Sequence, residues 1–259
     1  MISNTSKYIP YESVCSIILV NEKYPDTPFF GGTGFFAYFP PFEDIFFITA
    51  KHCVYDNNGA LKGDLKVHYT PDGKSKELIP FLHVLDTKYS EDDEEFEDVL
   101  VYVVDSIPSN KKKDLLRKSL RLQHQDDVDA MIQLAVSNNG NIRTVGFPSV
   151  SKEIDYEKGV AIVQPRGFHA KVCDDSCFKN RYKLEKGNWK DGELNGFSGS
   201  PIIEIVQVSE SSFQAVPIGI LLTESYFISI NVVTNLIGEY IKGQKGREGQ
   251  VLRFALNEK

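Results

Sequence analysis

Cysteine is scarce in this chain. Its 259 residues include four, at positions 15, 53, 173 and 177. That is too few for a secreted fold stapled by disulfides, so free thiols are expected. Positive charge is also in short supply. Lys and Arg total 29 against 36 Asp and Glu, a net charge of -7. Phosphate binding needs a basic face, so nucleic acid is excluded as the main ligand. The N-terminus lacks a basic segment followed by a long apolar one. Val14 to Val20 is apolar but only strand-length, far short of a membrane span. These absences lead to the expectation of a soluble, cytoplasmic protein with no membrane or nucleic-acid partner.

Aromatic residues are plentiful. Seventeen Phe and 12 Tyr favour strands over a helical bundle. Short apolar segments read as strands at Val14–Val20, Gly31–Phe39, Ile45–Ala50, Leu65–Tyr69, Leu78–Leu85 and Val99–Val104, with a loop at Asn21–Pro28 and a turn at Thr70–Gly73. A second group falls at Ile142–Gly146, Val160–Gln164, Phe168–Val172, Pro201–Val206, Ala215–Thr223 and Tyr226–Ile230. A short helix is expected near Val128–Val136, and Cys173–Leu194 reads as a long loop. Apolar residues at helical spacing from Val232 to Ile241 predict a terminal helix stopped by Gly243. The expected fold is all-β, two antiparallel six-stranded β-barrels with a C-terminal helix. The expected division is an arm at 1–11, a first barrel at 12–107, a linker at 108–127, a second barrel at 128–230, and the helix with its tail at 231–259.

The chain's chemistry centres on Gly196-Phe197-Ser198-Gly199-Ser200-Pro201. A serine hydroxyl becomes a nucleophile when a base takes its proton and a sharp turn exposes it. Glycines on both sides permit such a turn, and the amides of Gly196 and Ser198 would form an oxyanion hole if they point one way. Candidate partners are His52, at the end of an apolar strand, and Asp98, at the head of another.

Six short words occur in an order that resembles the chymotrypsin/trypsin-like serine proteases. They are Gly32-Thr33-Gly34-Phe35, Thr49-Ala50-Lys51-His52-Cys53, Asp98-Val99-Leu100-Val101, Val145-Gly146-Phe147-Pro148, Gly196 to Pro201, and Pro217-Ile218-Gly219-Ile220. The resemblance spans about residues 12–240 and implies the chymotrypsin-like double barrel. It implies Ser198 as nucleophile, His52 as general base and Asp98 as the group that orients the imidazole, with the Gly196 and Ser198 amides holding the oxyanion. It also implies a serine endopeptidase acting on a protein or peptide substrate, with no cofactor. A regulatory protein partner is one expectation, and a catalytically silent peptide-binding scaffold on the same fold is the alternative.

Departures from the family pattern place the chain nearer its bacterial branch. Phe197 stands where activation by a freed N-terminus would need Asp. Phe30, taken as the position facing Cys53, is not cysteine, so the disulfide that flanks the histidine in secreted relatives is not expected. The specificity pocket is expected to involve Asp191, Gly192, Glu193, Gly219, Leu221, Leu222 and Thr223. Asp191 or Glu193 would favour a basic substrate residue, and Leu221 stands where Glu-selective relatives carry histidine. His169, Cys173 and Cys177 recur at four-residue intervals, but three ligands on a loop do not make a zinc site. The acidic run Glu91–Glu97 is expected to be a solvated loop. No metal site is expected.

Overall fold

The computed structural model describes residues 10–69, 77–86, 97–137, 141–149, 152–155, 160–173, 180–185, 187–190, 192–209, 212–223 and 226–248. The expected turn at 70–73, residues 91–96 of the acidic run, Cys177 and Asp191 lie outside them.

The first half is a sheet. Strands β1 (Val14–Asn21), β2 (Tyr24–Tyr38), β3 (Ile45–Thr49), β4 (Asp64–Lys66), β5 (Phe81–Asp86) and β6 (Leu100–Val104) lie in the order β4-β1-β2-β3-β6-β5. β7 (Leu120–Arg121) adds to β2 in parallel. The strands form because their side chains face a dense aromatic core. Phe36 lies 5.1 Å from Phe47, Phe47 lies 5.8 Å from Phe81, and Phe81 lies 5.1 Å from Tyr102, all tilted.

Two expectations fail here. The first half is an open, curled sheet rather than a closed six-stranded barrel. Its two ends approach through one antiparallel bridge, His68 with Leu78, instead of a continuous ladder. Asn21–Pro28 is not a loop either. The β1–β2 hairpin continues into it, with Asn21 opposite Tyr24.

Between the halves, α1 (Ser109–Lys118) and β7 bury Leu115 and Leu120 against the first sheet's core, and α2 (Gln125–Ser137) begins three residues before the expected start. The second half closes fully. Strands β8 (Asn141–Gly146), β11 (Arg166–Cys173), β12 (Arg181–Glu185), β13 (Pro201–Ser209), β14 (Ser212–Leu221) and β15 (Tyr226–Ser229) form a barrel in the order β11-β12-β15-β14-β13-β8.

The strand expected at 160–164 is not part of this barrel. As β10 (Val160–Val163) it pairs with β9 (Lys152–Asp155) in a separate ribbon, while β8 pairs directly with β11. β12 occupies the expected loop at 173–194. Its Arg, Lys and Glu hide a strand that Tyr182, stacked 5.3 Å from Phe227, ties to β15. The closing helix, α3 (Asn231–Glu248), runs five residues beyond the expected stop at Gly243. That glycine keeps a negative φ, and a glycine ends a helix only when it takes the left-handed conformation.

Candidate active site

β3 and β6 are antiparallel neighbours, with Thr49 opposite Leu100. The chain leaving β3 and the chain entering β6 therefore emerge side by side. The first carries His52 in a single 3-10 turn, Lys51–Cys53, and the second carries Asp98. Asp98 accepts two bonds from the histidine. Its Oδ1 takes the His52 backbone N–H at 2.8 Å, and its Oδ2 faces the ring Nδ1 at 2.5 Å. The two bonds fix both the position and the orientation of the imidazole, leaving Nε2 as the ring nitrogen free for other chemistry. Lys62 Nζ donates to the His52 carbonyl at 2.7 Å and holds the turn from the other side. The Asp98 side chain is 14% exposed and that of His52 is 42% exposed, so the imidazole is open to solvent while the carboxylate is shielded. A cavity of about 550 Å³ opens beside the ring, walled by Lys51, Tyr55, Asp98 and residues 56–59.

The serine turn is built differently. Gly196 and Gly199 have φ of +90° and +86°, where a side chain is strained. A Cβ on Gly199 would also lie 2.1 Å from the Thr33 carbonyl oxygen and 3.0 Å from the Ala50 nitrogen. The turn therefore touches the first half through β2 and the end of β3. It also faces the histidine turn, because the Ser198 carbonyl accepts from the Thr33 N–H at 2.9 Å and from Cys53 Sγ at 3.2 Å. Phe197, wholly buried, plugs the turn into the second core with its ring 5.3 Å from Phe168.

These anchors pull the turn's carbonyls inward. The Asn195 carbonyl accepts from the Ser149 N–H at 2.6 Å and the Phe197 carbonyl from the Ser200 N–H at 2.8 Å. In a trans peptide the N–H points opposite the C=O, so the N–H groups of Gly196 and Ser198 are turned away from those anchors. Neither has a hydrogen-bond partner among the described residues. Two unpaired, fixed donors beside a serine are what an oxyanion would need.

The Ser198 hydroxyl does not bond the His52 ring. It donates to the Leu222 carbonyl at 3.0 Å. Leu222 is held in turn by donation of its N–H to the Tyr226 carbonyl at 3.0 Å.

Of the expected pocket residues, Leu221 and Leu222 adjoin the serine turn. Leu221 is buried, and its N–H and C=O serve Ser200 and Gly199. Gly219 lies under the Phe227 ring, which would stand 2.2 Å from an added Cβ. Glu193 is committed locally, accepting from the Lys190 N–H at 2.7 Å and lying 3.9 Å from Arg166. Gly192 shares its turn, with φ of +81°. Thr223 is exposed.

His169 and Cys173 lie on one extended strand, two pleats apart, which separates them by about 13 Å and keeps them off a common ion. The described residues contain no cluster of three metal-ligating side chains, and none of their helices is long and apolar enough to cross a membrane.

The residue facing Cys53 is also corrected. Phe30 pairs with Ile18, whereas a Cβ on Gly32 would lie 2.5 Å from Cys53 Sγ. The sequence reading misjudged this position because bulges in the β1–β2 hairpin shift the count. It missed Thr33, Ser149 and Lys62 as supports. Only Thr33 left a signal, as a polar residue between two glycines inside an apolar strand. The chain matches no protein-family model and no curated protein.

Proposed function

We propose that this chain is a serine endopeptidase of chymotrypsin-like architecture that hydrolyses peptide bonds in protein substrates through an acyl-enzyme. One observation carries the reading. A histidine held at both its backbone and its Nδ1 by a shielded carboxylate stands beside a serine turn with two unpaired amides. In this scheme Ser198 Oγ attacks the scissile carbonyl carbon while His52 Nε2 takes its proton. The oxyanion rests on the Gly196 and Ser198 N–H groups, and the imidazolium then protonates the leaving amine. Water repeats the sequence to release the acid and restore the serine.

For the attack, Ser198 turns about χ1 from the Leu222 carbonyl toward the imidazole. That exchanges one hydrogen bond of about 1 kcal/mol for another. Glu193 accepts from the Lys190 N–H and lies 3.9 Å from Arg166, so a preference for Lys or Arg through it would compete with those contacts.

The Ser198–Leu222 bond favours a second reading, in which the hydroxyl stays engaged and the fold serves as a silent peptide-binding scaffold, or waits for a protein partner. Incubation with a fluorophosphonate, read by intact mass and peptide mapping, separates them. Hydrolase chemistry gives a phosphonyl adduct on Ser198, absent from Ser198→Ala. A chain that stays unmodified, alone and with cell extract, removes the endopeptidase reading.

A further inference from the structure

Thr33 lies on β2, in the middle of the first sheet, and is completely buried. All of its polar groups are used, and three of its four bonds reach the second half. Its N–H donates to the Ser198 carbonyl at 2.9 Å. Its Oγ1 donates to the Gly196 carbonyl at 2.8 Å and accepts the Phe147 N–H at 3.0 Å. Its own carbonyl accepts from Thr49 Oγ1 at 2.8 Å, on the strand that ends at the His52 turn.

From these bonds we infer that Thr33 is a positioning residue that sets the serine turn against the histidine. This rests on the endopeptidase reading for its catalytic consequence, but its structural content stands alone. The carbonyls it holds, those of Gly196 and Ser198, flank the peptide whose N–H is one of the two unpaired amides. Holding both stops that peptide from rotating. Each unpaired donor would be lost to an oxyanion if its peptide turned, and one lost donor typically costs ~10²–10³ in rate. Because Thr49 joins Thr33 to β3, the same residue fixes the distance between the two turns. The side chain has no route to substrate, so it acts only through the backbone it holds.

A graded series tests this. Thr33→Ser keeps the donor and the acceptor, whereas the near-isosteric Thr33→Val removes both. The first readout is hydrogen exchange of the Phe197, Gly199 and Ser200 amides, each bonded within or beside the turn. Thr33→Val is expected to speed their exchange about tenfold or more while amides of the β3–β6 ladder keep wild-type rates. Thr33→Ser is expected to match wild type. The second readout is fluorophosphonate labelling and peptide turnover, where Thr33→Val is expected to lower kcat at least ~10-fold with KM unchanged.

Wild-type exchange rates in the turn of Thr33→Val would overturn the inference, whatever the labelling shows. Should Thr33→Val not fold, Thr33→Ser decides. Wild-type exchange there supports the hydroxyl's role, and a loosened turn overturns it by assigning the effect to the missing methyl. A wild-type chain that never labels removes the endopeptidase reading alone, since the exchange measurement needs no activity.

Discussion

The two halves present their candidate chemistry by opposite means. The first, an open aromatic sheet, holds His52 by side chains: the Asp98 carboxylate and the Lys62 ammonium. The second, a closed barrel, holds Ser198 mainly by backbone, through two left-handed glycines and carbonyls anchored by N–H groups, with the Thr33 hydroxyl of the first half as the side-chain exception. Side-chain supports can be removed singly while the fold stands. Backbone supports cannot, because the conformation that presents the serine is also the one that packs the halves together. The difference teaches where a substitution separates chemistry from stability and where it cannot.

The largest effect is therefore expected on the side-chain side. Asp98→Asn keeps the shape but offers the wrong partner to Nδ1, which favours the other imidazole tautomer. Peptide turnover should fall roughly 10⁴-fold, with the melting temperature within a few degrees of wild type. If turnover and stability fall together, the first half is not the separable one and the contrast is broken.

Gly199→Ala addresses the other half and should move both quantities. Its φ of +86° disfavours a side chain, and the new methyl would drive into the Thr33 carbonyl, Thr49 Oγ1 and Ala50. Left-handed strain alone costs about 1–2 kcal/mol, and displacing backbone adds to it. A total near 3 kcal/mol corresponds to roughly 6–12 °C in a chain of this size. Turnover should fall by about 10²-fold or more as the amides shift. A variant with wild-type melting and no activity would assign the glycine to chemistry alone and dissolve the distinction.

The same contrast explains what was legible in the sequence. The side-chain half announced itself: an apolar strand running into His52 and a carboxylate heading Val99–Val104 are patterns of residue type, and the register of β3 against β6 joins them. The glycine turn was legible as a turn, because only unusual dihedrals call for Gly at 196 and 199. Its anchors were not, since a backbone N–H such as that of Ser149 leaves no mark on composition. Closure was equally hidden. Whether a set of strands shuts into a barrel depends on bulges and on strands such as β12, whose charged residues follow no clean alternation. Gly243 shows the reverse error. A residue that permits a helix stop does not impose one while its backbone stays helical.

The smallest expected effect sharpens the comparison through charge. In the first half Asp98 is paired with His52, and Asp86 with Lys51 at 2.6 Å. The barrel half instead strands one. Glu204 on β13 is partly buried, its Oε2 has no hydrogen-bond partner among the described residues, and burial pushes its carboxyl up to about 7 against the opposing pull of Arg143. A carboxyl whose folded pKa is raised holds its proton in the native state after the unfolded chain has released it. Native protein then binds more protons than unfolded chain between about pH 4.5 and 7, so stability falls as pH rises through that window and stays lowered above it. Glu204→Gln removes this dependence. Once solvent screening is allowed for, the variant should gain about 1–2 kcal/mol over wild type by pH 7.5, and close to nothing at pH 4.5. Urea unfolding of both proteins across that range measures the gap. Parallel curves would mean that the barrel compensates this acid as fully as the sheet compensates those two, and the difference between the halves would then be confined to how each presents its candidate group.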